Sequence, residues 1–476
     1  MDAHAIEQLG IPGYTLMTRA GEAALDLLCD RWPAATRLLV LCGAGNNAGD
    51  GYVLARLARA AGLEVTLAAL LPPSGLRGDA LRAWQDYAAA GGEVVGFEAP
   101  LPAAADVVVD ALLGTGLDRP VSGAFADCIK AVKRAGRPVL AIDVPSGLGA
   151  DSGQVMGVAL GASATITFVG LKAGLFLGAG PDLVGELAFA SLGVGDSAPV
   201  GDPLMTRLGT PTLAAALPPR RRAAHKGEHG RVLVVGGGPG MPGAARLAAE
   251  AALRAGAGLV TVAAWPANVT AVVASRPEII CHGIDAPSDL GPLLAAADVV
   301  AIGPGLGQGD WSRALFEAAC AAGKPMVVDA DALNLLAASP HRADNWVLTP
   351  HPGEAGRLLG RDAAAIQSDR LGTVRELQSR FGGVAVLKGA CSLVLGPSGR
   401  PCLCDAGNPG MAVAGMGDVL TGTVAGIAGQ CRDLELAAAA GVLAHAQAGD
   451  LAARGGQRGL LAGDVIESLR ACVNPS

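Results

Sequence analysis

Aromatic residues are scarce in this chain of 476 residues, at 3% of the sequence, and basic clusters are nearly absent. Few aromatics leave little material for stacking on nucleic-acid bases, and the net charge of -7 disfavours binding to a phosphate backbone. One basic run, residues 220–222 followed by His225 and Lys226, lies in a proline-rich stretch that is typical of a linker. The composition therefore argues against nucleic-acid binding and favours small-molecule chemistry.

Long apolar runs, a secretory signal and zinc-ligand spacings are also lacking. Hydrophobic residues make up 51% of the chain, but many are alanine, and no uninterrupted strongly apolar run is long enough to span a bilayer. The first residues, MDAHAIEQLG, lack the basic start and apolar core of a signal peptide. The 10 cysteines are scattered, and neither Cys402-x-Cys404 nor the 7 histidines match a zinc site. We therefore expect a soluble cytoplasmic protein without a structural metal.

Apolar β-like runs alternate with alanine-rich helical runs in two separate stretches, as in doubly wound parallel sheets. The predicted strands of the first stretch are residues 38–41, 65–68, 107–109, 139–142 and 164–168. Those of the second are residues 232–235, 259–262, 299–302, 326–328, 346–348 and 384–387. Residues 193–224 are rich in glycine, proline and polar residues. The pattern predicts two α/β domains, residues 1–212 and 213–476.

Polar and glycine residues gather after three predicted strands of the first domain. GAGNNAGDG at 43–51 follows the first of these strands, and we expect it to form a ligand loop. Asp110 and LGTGLDRP at 113–120 follow the next strand, and DVPSG begins with Asp143 after the last. The GxGxxxG spacing differs from the GxGxxG of dinucleotide dehydrogenases. Each residue alone would suit a turn or a cap. Because ligands bind at the carboxyl ends of parallel strands, the three segments together predict one ligand site.

In the second domain, AGMGDVLTGTV at 414–424 contains a glycine-rich turn that leads into a predicted helix. Backbone N–H groups of such a turn and the positive end of the helix together favour an anion. Asp418 would lie beside a bound phosphate and could take a proton from a substrate hydroxyl, or it could be an ordinary N-cap. Lys388 follows a predicted strand, so we expect it to bind phosphate rather than lie on the surface.

The motifs of both halves resemble those of two fused enzymes. NNAGDG at 46–51, GTGLDRP at 114–120 and DVPSGL at 143–148 resemble the NAD(P)H-hydrate epimerase domain. The segments that resemble the NAD(P)H-hydrate dehydratase domain are HKGEHGRVLVVGG at 225–237, GPGLG at 303–307, DADALNLL at 329–336, TPHPGEAGRLLG at 349–360, VLKGA at 386–390 and GNPGMAVAGMGDVLTG at 407–422. This resemblance implies an N-terminal Rossmann-like three-layer sandwich and a C-terminal ribokinase-like α/β fold.

The resemblance implies repair of hydrated nicotinamide nucleotides, NADHX and NADPHX. The first domain would interconvert their R and S epimers, and the second would dehydrate the S form at the expense of ADP, which gives NAD(P)H, AMP and phosphate. Potassium is implied for the epimerase domain, and magnesium with ADP for the dehydratase domain. The alternative is a ribokinase-like small-molecule kinase fused to a nucleotide-binding regulatory module. We also expect a homo-oligomer with no nucleic-acid or membrane partner.

The same resemblance implies the residues of both sites. In the first domain, substrate would contact Asn46, Asn47, Ala48, Gly49, Asp50, Gly114, Thr115, Gly116, Leu117, Asp118, Arg119, Pro120 and Asp143, with potassium on Asn47, Asp110 and Ser146. In the second, substrate would contact Ala244, Gly305, Gly307, His351 and Asp418, and the nucleotide would contact Lys388, Gly389, Ala390, Cys391, Ser392, Gly407, Asn408, Gly415, Met416 and Gly417. Asp143 and Asp418 are the catalytic candidates.

Four further residues keep open alternatives. Lys172 is a weaker candidate for the first site. His351 could be a general acid or base, a binding residue or a hydrogen-bonding turn residue. Asp329 and Asp331 flank a predicted strand end, where either could cap the following helix or hold magnesium through water.

Overall fold

The computed structural model describes residues 2–99, 101, 105–194, 203–274 and 276–474. The chain divides into two compact units, Met1–Pro203 and Leu204–Ser476. This division falls before the expected boundary at residue 212, because Thr206–Arg207 forms a strand of the second sheet and Thr210–Ala216 packs on a helix of the second unit. Part of the predicted linker, residues 195–202, lies outside the described residues.

In the described part of the first unit, seven strands form one parallel sheet in the order β3-β2-β1-β4-β5-β6-β7. The strands are β1 (Arg37–Cys42), β2 (Glu64–Ala69), β3 (Val94–Gly96), β4 (Val107–Ala111), β5 (Val139–Ile142), β6 (Ala164–Phe168) and β7 (Glu186–Ala190). The helices are α1 (Asp2–Glu7), α2 (Gly13–Arg31), α3 (Asn46–Ala60), α4 (Gly78–Ala89), α5 (Gly123–Ala135) and α6 (Gly180–Leu183).

Both faces of the first sheet are covered by helices. Along β1, Leu38 and Val40 belong to the buried cluster that includes residues of α2 and α3. Leu39 belongs to the opposite cluster, which includes Ile129 of α5. Successive side chains of a strand point to opposite faces, so a continuous apolar strand requires a helical layer on each side. The three-layer sandwich implied by the resemblance is therefore observed.

In the described part of the second unit, ten strands form a sheet in the order β11-β10-β9-β12-β13-β14-β15-β16-β17-β8. The strands are β8 (Thr206–Arg207), β9 (Arg231–Val235), β10 (Leu259–Ala264), β11 (Ile280–Gly283), β12 (Val299–Ile302), β13 (Met326–Val328), β14 (Trp346–Leu348), β15 (Val384–Leu387), β16 (Ser392–Leu395) and β17 (Cys402–Cys404). The pairs β15–β16 and β16–β17 are antiparallel, which extends the predicted parallel sheet into a mixed one.

Helices of the second unit cover this sheet and carry several of the candidate residues. They are α7 (Thr210–Ala216), α8 (Pro242–Arg254), α9 (Val269–Val273), α10 (Pro287–Ala296), α11 (Asp310–Ala321), α12 (Ala330–Ala338), α13 (Pro352–Leu359), α14 (Ala363–Ser368), α15 (Arg370–Phe381), α16 (Met416–Ala428), α17 (Leu434–Ala452) and α18 (Ala462–Cys472). The packing of α16 on α8 is close: a Cβ added to Gly422 would lie 1.9 Å from the carbonyl oxygen of Ala248. Glycine at 422 thus allows α16 to approach α8.

The strand order reverses once in each sheet, between β1 and β4 and between β9 and β12. Connections on the two sides of such a reversal leave toward opposite faces, which opens a crevice at the carboxyl ends of the strands. The segments after β1 and β4 carry NNAGDG and GTGLDRP, and the segment after β12 carries GPGLG. The fold therefore puts the predicted ligand motifs at the point where open α/β sheets bind ligands.

Candidate functional site

The NNAGDG motif of the first unit is helical rather than a loop, which corrects the expected glycine-rich loop at 43–51. Helix α3 begins at Asn46 directly after the N-cap Gly45. Asn46 is exposed, residues 47–49 are buried and Asp50 is half-buried. A short turn from strand to helix brings first-turn amides to the sheet edge, where they favour anionic ligands. The motif therefore remains at the predicted edge, with a helix end in place of a loop.

Asp110, at the end of β4, is a fully buried carboxylate. Its Oδ1 accepts a hydrogen bond from the Ser146 hydroxyl at 2.6 Å, and its Oδ2 accepts one from the Ser146 backbone N–H at 2.8 Å. Burial raises the pKa of Asp110, against the bonds from Ser146 and the Leu112 amide. The structure thus brings together two of the three predicted potassium ligands.

Asn47, the third predicted potassium ligand, has a buried side chain whose amide oxygen and nitrogen make no hydrogen bond among the described residues. The GTGLDRP loop lies beside it, since a Cβ added to Gly114 would be 3.3 Å from the Asn47 Cβ. Residues 115, 116 and 118–120 of this loop are exposed, and Leu117 is half-buried. A buried amide without a partner is costly, so Asn47 is suited to a ligand or ion.

Asp143 follows β5 with a positive φ of 66°, which is a strained conformation for a residue other than glycine. Its Oδ1 lies 2.5 Å from the Lys172 Nζ and accepts a hydrogen bond from the Thr167 hydroxyl at 3.1 Å. The exposed fractions of the two charged side chains are 16% for Asp143 and 20% for Lys172. The weaker candidate, Lys172, is therefore in direct contact with the predicted acid or base.

In the second unit, Gly415 is the N-cap of α16 and has a φ of 91°, a left-handed conformation that glycine adopts without strain. Helix α16 then begins at Met416, and Asp418 lies in its first turn rather than at the cap. Burial and the nearby Asp329 carboxylate raise the pKa of Asp418 to about 7, although Lys388 acts in the opposite direction. This carboxyl group can therefore exchange a proton near neutral pH.

Lys388 lies at the end of β15 and points toward the start of α16. Its Nζ bonds to the Asp329 Oδ1 at 2.7 Å, and the Thr421 hydroxyl of α16 donates to the Asp329 Oδ2, also at 2.7 Å. A Cβ added to Gly417 would lie 3.4 Å from both the Lys388 Nζ and the Asp329 Oδ2. The lysine ammonium and the amides of the helix end thus face one place, where a phosphate would meet both.

The predicted nucleotide residues 388–392 form a turn that is held from behind by Arg370. This arginine is only 6% exposed, and its guanidinium donates to the carbonyl oxygens of Leu387, Lys388 and Cys391. Within the turn, the Ser392 hydroxyl bonds to Gly389, while residues 389 and 390 are exposed. Sequence reasoning missed Arg370, because nothing in the helical segment around it distinguishes a buried arginine from a surface one.

The second predicted nucleotide segment is anchored by Asp450 of α17. Its carboxylate accepts hydrogen bonds from the Gly407 backbone N–H at 2.9 Å and from the Asn408 side-chain amide at 3.0 Å. The Asn408 side-chain oxygen accepts in turn from the Gly410 backbone N–H. Sequence reasoning also missed Asp450. It lies near the end of α17, separated along the chain from Gly407 and Asn408 by all of α16, and no motif surrounds it.

The predicted substrate residues of the second unit lie on facing segments. A Cβ added to Gly305 would be 3.1 Å from the Ala244 Cβ, and the Gly307 backbone N–H donates to the Asp331 Oδ2 at 2.8 Å. Asp331 therefore holds the GPGLG loop. The side chain of Asp329, the N-cap residue of α12, makes no capping hydrogen bond.

His351 is the N-cap of α13, and its Nδ1 accepts a hydrogen bond from the Gly353 backbone N–H at 3.0 Å. Glu354 accepts a bond from the His351 backbone N–H, which completes a capping box. The turn-residue alternative is thus present in the structure, and the imidazole is half exposed. A binding role for His351 stays a prediction, as do the ligand roles of the other residues at both sites.

Two family models match the chain: one described as YjeF-related protein N-terminus at residues 13–174, and one described as NAD(P)H-hydrate dehydratase at residues 232–470. The bifunctional NAD(P)H-hydrate repair enzyme Nnr of Coxiella burnetii is 48% identical over 98% of this chain and 96% of its own. A crystal structure of ADP/ATP-dependent NAD(P)H-hydrate dehydratase from Bacillus subtilis with ATP and Mg²⁺ is 28% identical, covering 56% of this chain and 97% of that one with a TM-score of 0.51.

A ribokinase-like superfamily protein of Enterococcus faecalis V583 is 27% identical and covers 58% of this chain and 98% of that one, with a TM-score of 0.54. The predicted fold class is therefore confirmed, including the ribokinase-like second unit. Identity to the Coxiella enzyme runs through both units rather than one of them. From these matches and the two sheet-edge sites, we conclude that the chain belongs to the family of bifunctional NAD(P)H-hydrate repair enzymes.

Proposed function

We propose that this protein restores hydrated NADH and NADPH in two steps. The first unit interconverts the R and S epimers, and the second dehydrates the S epimer at the expense of ADP. The observation that carries the proposal is the position of Asp418 in the first turn of α16, beside the Lys388 ammonium and with a pKa of about 7. A base and an anion site at one helix end are the parts that phosphoryl transfer requires.

In the dehydration, Asp418 accepts the proton of the hydroxyl group on C6 of the hydrated ring. The hydroxyl oxygen attacks the terminal phosphorus of ADP, and the bond from that phosphorus to the bridging oxygen breaks, so that AMP leaves with the electron pair. Lys388 and the amides of the α16 turn stabilise the charge that develops on the transferring group. Phosphate then departs from C6, and loss of a ring proton restores the dihydropyridine.

We assign the nucleotide to the turn at residues 388–392 and to the segment around Gly407 and Asn408. Both are backed by charged partners, the buried Arg370 and the exposed Asp450. The described residues contain no group of three or more His, Cys, Asp or Glu side chains suited to hold a metal. Magnesium usually binds through substrate phosphates and water with few protein ligands. We therefore propose that it arrives with the nucleotide, and that ADP is the donor.

In the epimerisation, Asp143 is the proposed acid or base at the hydroxylated ring carbon. The ring hydroxyl is lost and returned, or the ring opens and closes; either path needs proton transfer at that centre. Lys172 supports this assignment because it holds the carboxylate in a fixed direction at 2.5 Å. The NNAGDG and GTGLDRP segments flank the same sheet edge and would bind the nucleotide substrate.

Potassium is proposed to bind between Asn47, Asp110 and Ser146. Two observations support the fit: the buried Asp110 carboxylate accepts hydrogen bonds, and the amide oxygen of Asn47 has no partner among the described residues. A buried negative charge is costly unless it is paired, and a hard monovalent cation prefers such oxygens. When bound, the ion would neutralise Asp110 and orient the first turn of α3.

Three broader expectations belong to the proposal. None of the helices in the described ranges is long and apolar enough to cross a bilayer. We propose a cytoplasmic location and a homo-oligomeric state, with NADHX, NADPHX and ADP as small-molecule partners and no nucleic-acid partner.

The test is recovery of NADH from a mixture of R and S hydrated NADH, followed by dihydropyridine absorbance. Purified full-length protein is supplied with magnesium and potassium, and with ADP, ATP or no nucleotide. We expect complete recovery with ADP. Recovery of the S fraction alone, before the epimers interconvert without enzyme, would remove the epimerase assignment. Accumulation of a stable phosphorylated product without NADH would instead favour a small-molecule kinase.

A further inference from the structure

Asp329 holds three elements of the second unit together at the start of α16. It is 1% exposed and follows β13, directly before α12. Its Oδ1 accepts from the Lys388 Nζ at the end of β15, and its Oδ2 accepts from the Thr421 hydroxyl, one turn beyond Asp418 on α16. A buried carboxylate with both oxygens bonded in this way fixes the positions of its partners.

We propose that Asp329 is a positioning residue for the dehydration: it holds the Lys388 ammonium toward the transferring phosphoryl group and away from Asp418, which is thereby left free to act as the base. The proposal rests on the proposed function of Asp418. The capping function expected from its position is not observed.

The reason is that Asp418 and Asp329 compete for one cation. Lys388 lies beneath the turn at Gly417, with Glu354 at 3.6 Å as a second carboxylate partner. If the ammonium paired with Asp418, that carboxylate would be a weaker base and the lysine would be drawn away from the phosphate. Asp329 prevents this by bonding the lysine at 2.7 Å.

The other titratable groups around Asp418 agree with its role as the base and with the role of Lys388 as a cation held by Asp329. Asp331, on α12, adds a second negative charge that raises the pKa of Asp418. His445 of α17 is buried and bonds to the backbone of Met416, and burial together with Lys388 lowers its pKa to about 4. It is therefore neutral near pH 7. The neighbouring carboxylates of Asp329 and Glu354 outweigh burial and raise the pKa of Lys388, which stays charged.

The test compares the pH dependence of kcat/KM for S-hydrated NADH at saturating ADP in full-length wild type, Asp329→Asn and Thr421→Val. In Asp329→Asn a like charge is lost and Lys388 is released toward Asp418, so the acid limb should move about one unit lower and the plateau fall about 10-fold or more. Thr421→Val keeps the Asp329 charge, so its acid limb should stay in place.

An unmoved limb in a folded Asp329→Asn protein that still binds ADP by calorimetry would overturn the proposal, as would equal shifts in both variants. If Asp329→Asn does not fold, Lys388→Met is measured instead, and its acid limb should shift in the opposite direction. Because Asp418 loses a positive neighbour in this variant, the limb should move to higher pH. A limb that stays or moves lower there would overturn the proposal as well.

Asp418→Asn distinguishes a failure of the proposed function of Asp418 from a failure of the positioning role of Asp329. If that variant keeps dehydrating, the proposed function of Asp418 fails and the limb belongs to another group. If it is inactive while the Asp329→Asn limb does not move, only the positioning by Asp329 is wrong.

Discussion

Each unit has a lysine–aspartate pair at the carboxyl edge of its sheet, but the two pairs use the aspartate differently. In the first unit, Lys172 bonds directly to Asp143, the proposed acid or base. In the second, Lys388 bonds to Asp329, while burial and Asp329 raise the pKa of the proposed base Asp418 to about 7. The lysine therefore contacts the proposed catalytic carboxylate itself in the first unit and a neighbouring carboxylate in the second.

The backbone conformation at the two proposed catalytic residues differs as well. Asp143 itself has a positive φ, so the strain lies on the proposed catalytic residue. In the second unit Gly415 takes the positive φ, and Asp418 is helical. Strain at a non-glycine residue persists only when its surroundings hold it in place, and Lys172 and Thr167 are those surroundings. The first site is therefore fixed by side-chain contacts, and the second by the glycine turn and the helix.

The largest effects should come from removing each proposed catalytic carboxylate. We expect Asp418→Asn to lower dehydration by about 10³-fold and to leave epimer exchange intact, and Asp143→Asn to do the reverse, because general acid–base groups contribute roughly 10²- to 10⁴-fold. Epimer exchange is measured by NMR and dehydration by NADH formation. Each variant serves as the folding control for the other. Loss of both activities in a folded variant would contradict this separation of the two sites.

Lys172→Met should weaken epimer exchange by about 10²-fold, because Asp143 loses the contact that directs its carboxylate. Dehydration should not change. Lys130→Met is the matched control, since Lys130 is an exposed lysine of α5 whose ion pair within the described part of the chain is with Asp127, at 3.7 Å. Equal activity of the Lys172 and Lys130 variants would show that the pair in the first unit has no catalytic consequence.

Much of the fold could be predicted from the sequence, because buried parallel strands are continuous apolar runs. All eleven predicted strands coincide with observed ones, from β1 at Leu38 to β15 at Val384. Six strands of the described residues were missed: β3, β7, β8, β11, β16 and β17. The first four lie at sheet edges and much of their length is exposed, and β16 and β17 are short, with four and three residues. An exposed edge strand lacks the apolar run that distinguishes a buried one.

The candidate sites were predictable where glycine and aspartate follow a strand, and not where a distant side chain supports them. Asp418 and Lys388 meet at one helix end as expected. Arg370 and Asp450 come from helices α15 and α17, and their contacts depend on tertiary packing. The start of α3 was misjudged because glycine and asparagine in a helix's first turn look like a loop.

Arg370→Met should raise the KM for ADP about 10-fold, with a smaller change in kcat. The guanidinium holds three carbonyl groups of the nucleotide turn, and without it these groups lose their donors and the turn loosens. Epimer exchange should be unaffected, which would add a second distinction between the units. Arg375→Met, on the exposed side of the same helix, is the matched control. An unchanged KM in a folded Arg370→Met protein would assign the arginine to stability alone.

The effect furthest from catalysis should be a gain in stability that depends on pH. Since the folded pKa of Asp418 is about 7 and the unfolded value about 4, the folded state binds the extra proton between these values, and stability falls as pH rises through them. Asp418→Asn removes this cost. Three pKa units correspond to about 4 kcal/mol, so its second unit should melt roughly 7 °C higher than wild type near pH 8, and the difference should vanish near pH 4. Calorimetry can follow the transition that ADP stabilises in wild type. A gain independent of pH would mean that Asp418 is not held as a raised-pKa base.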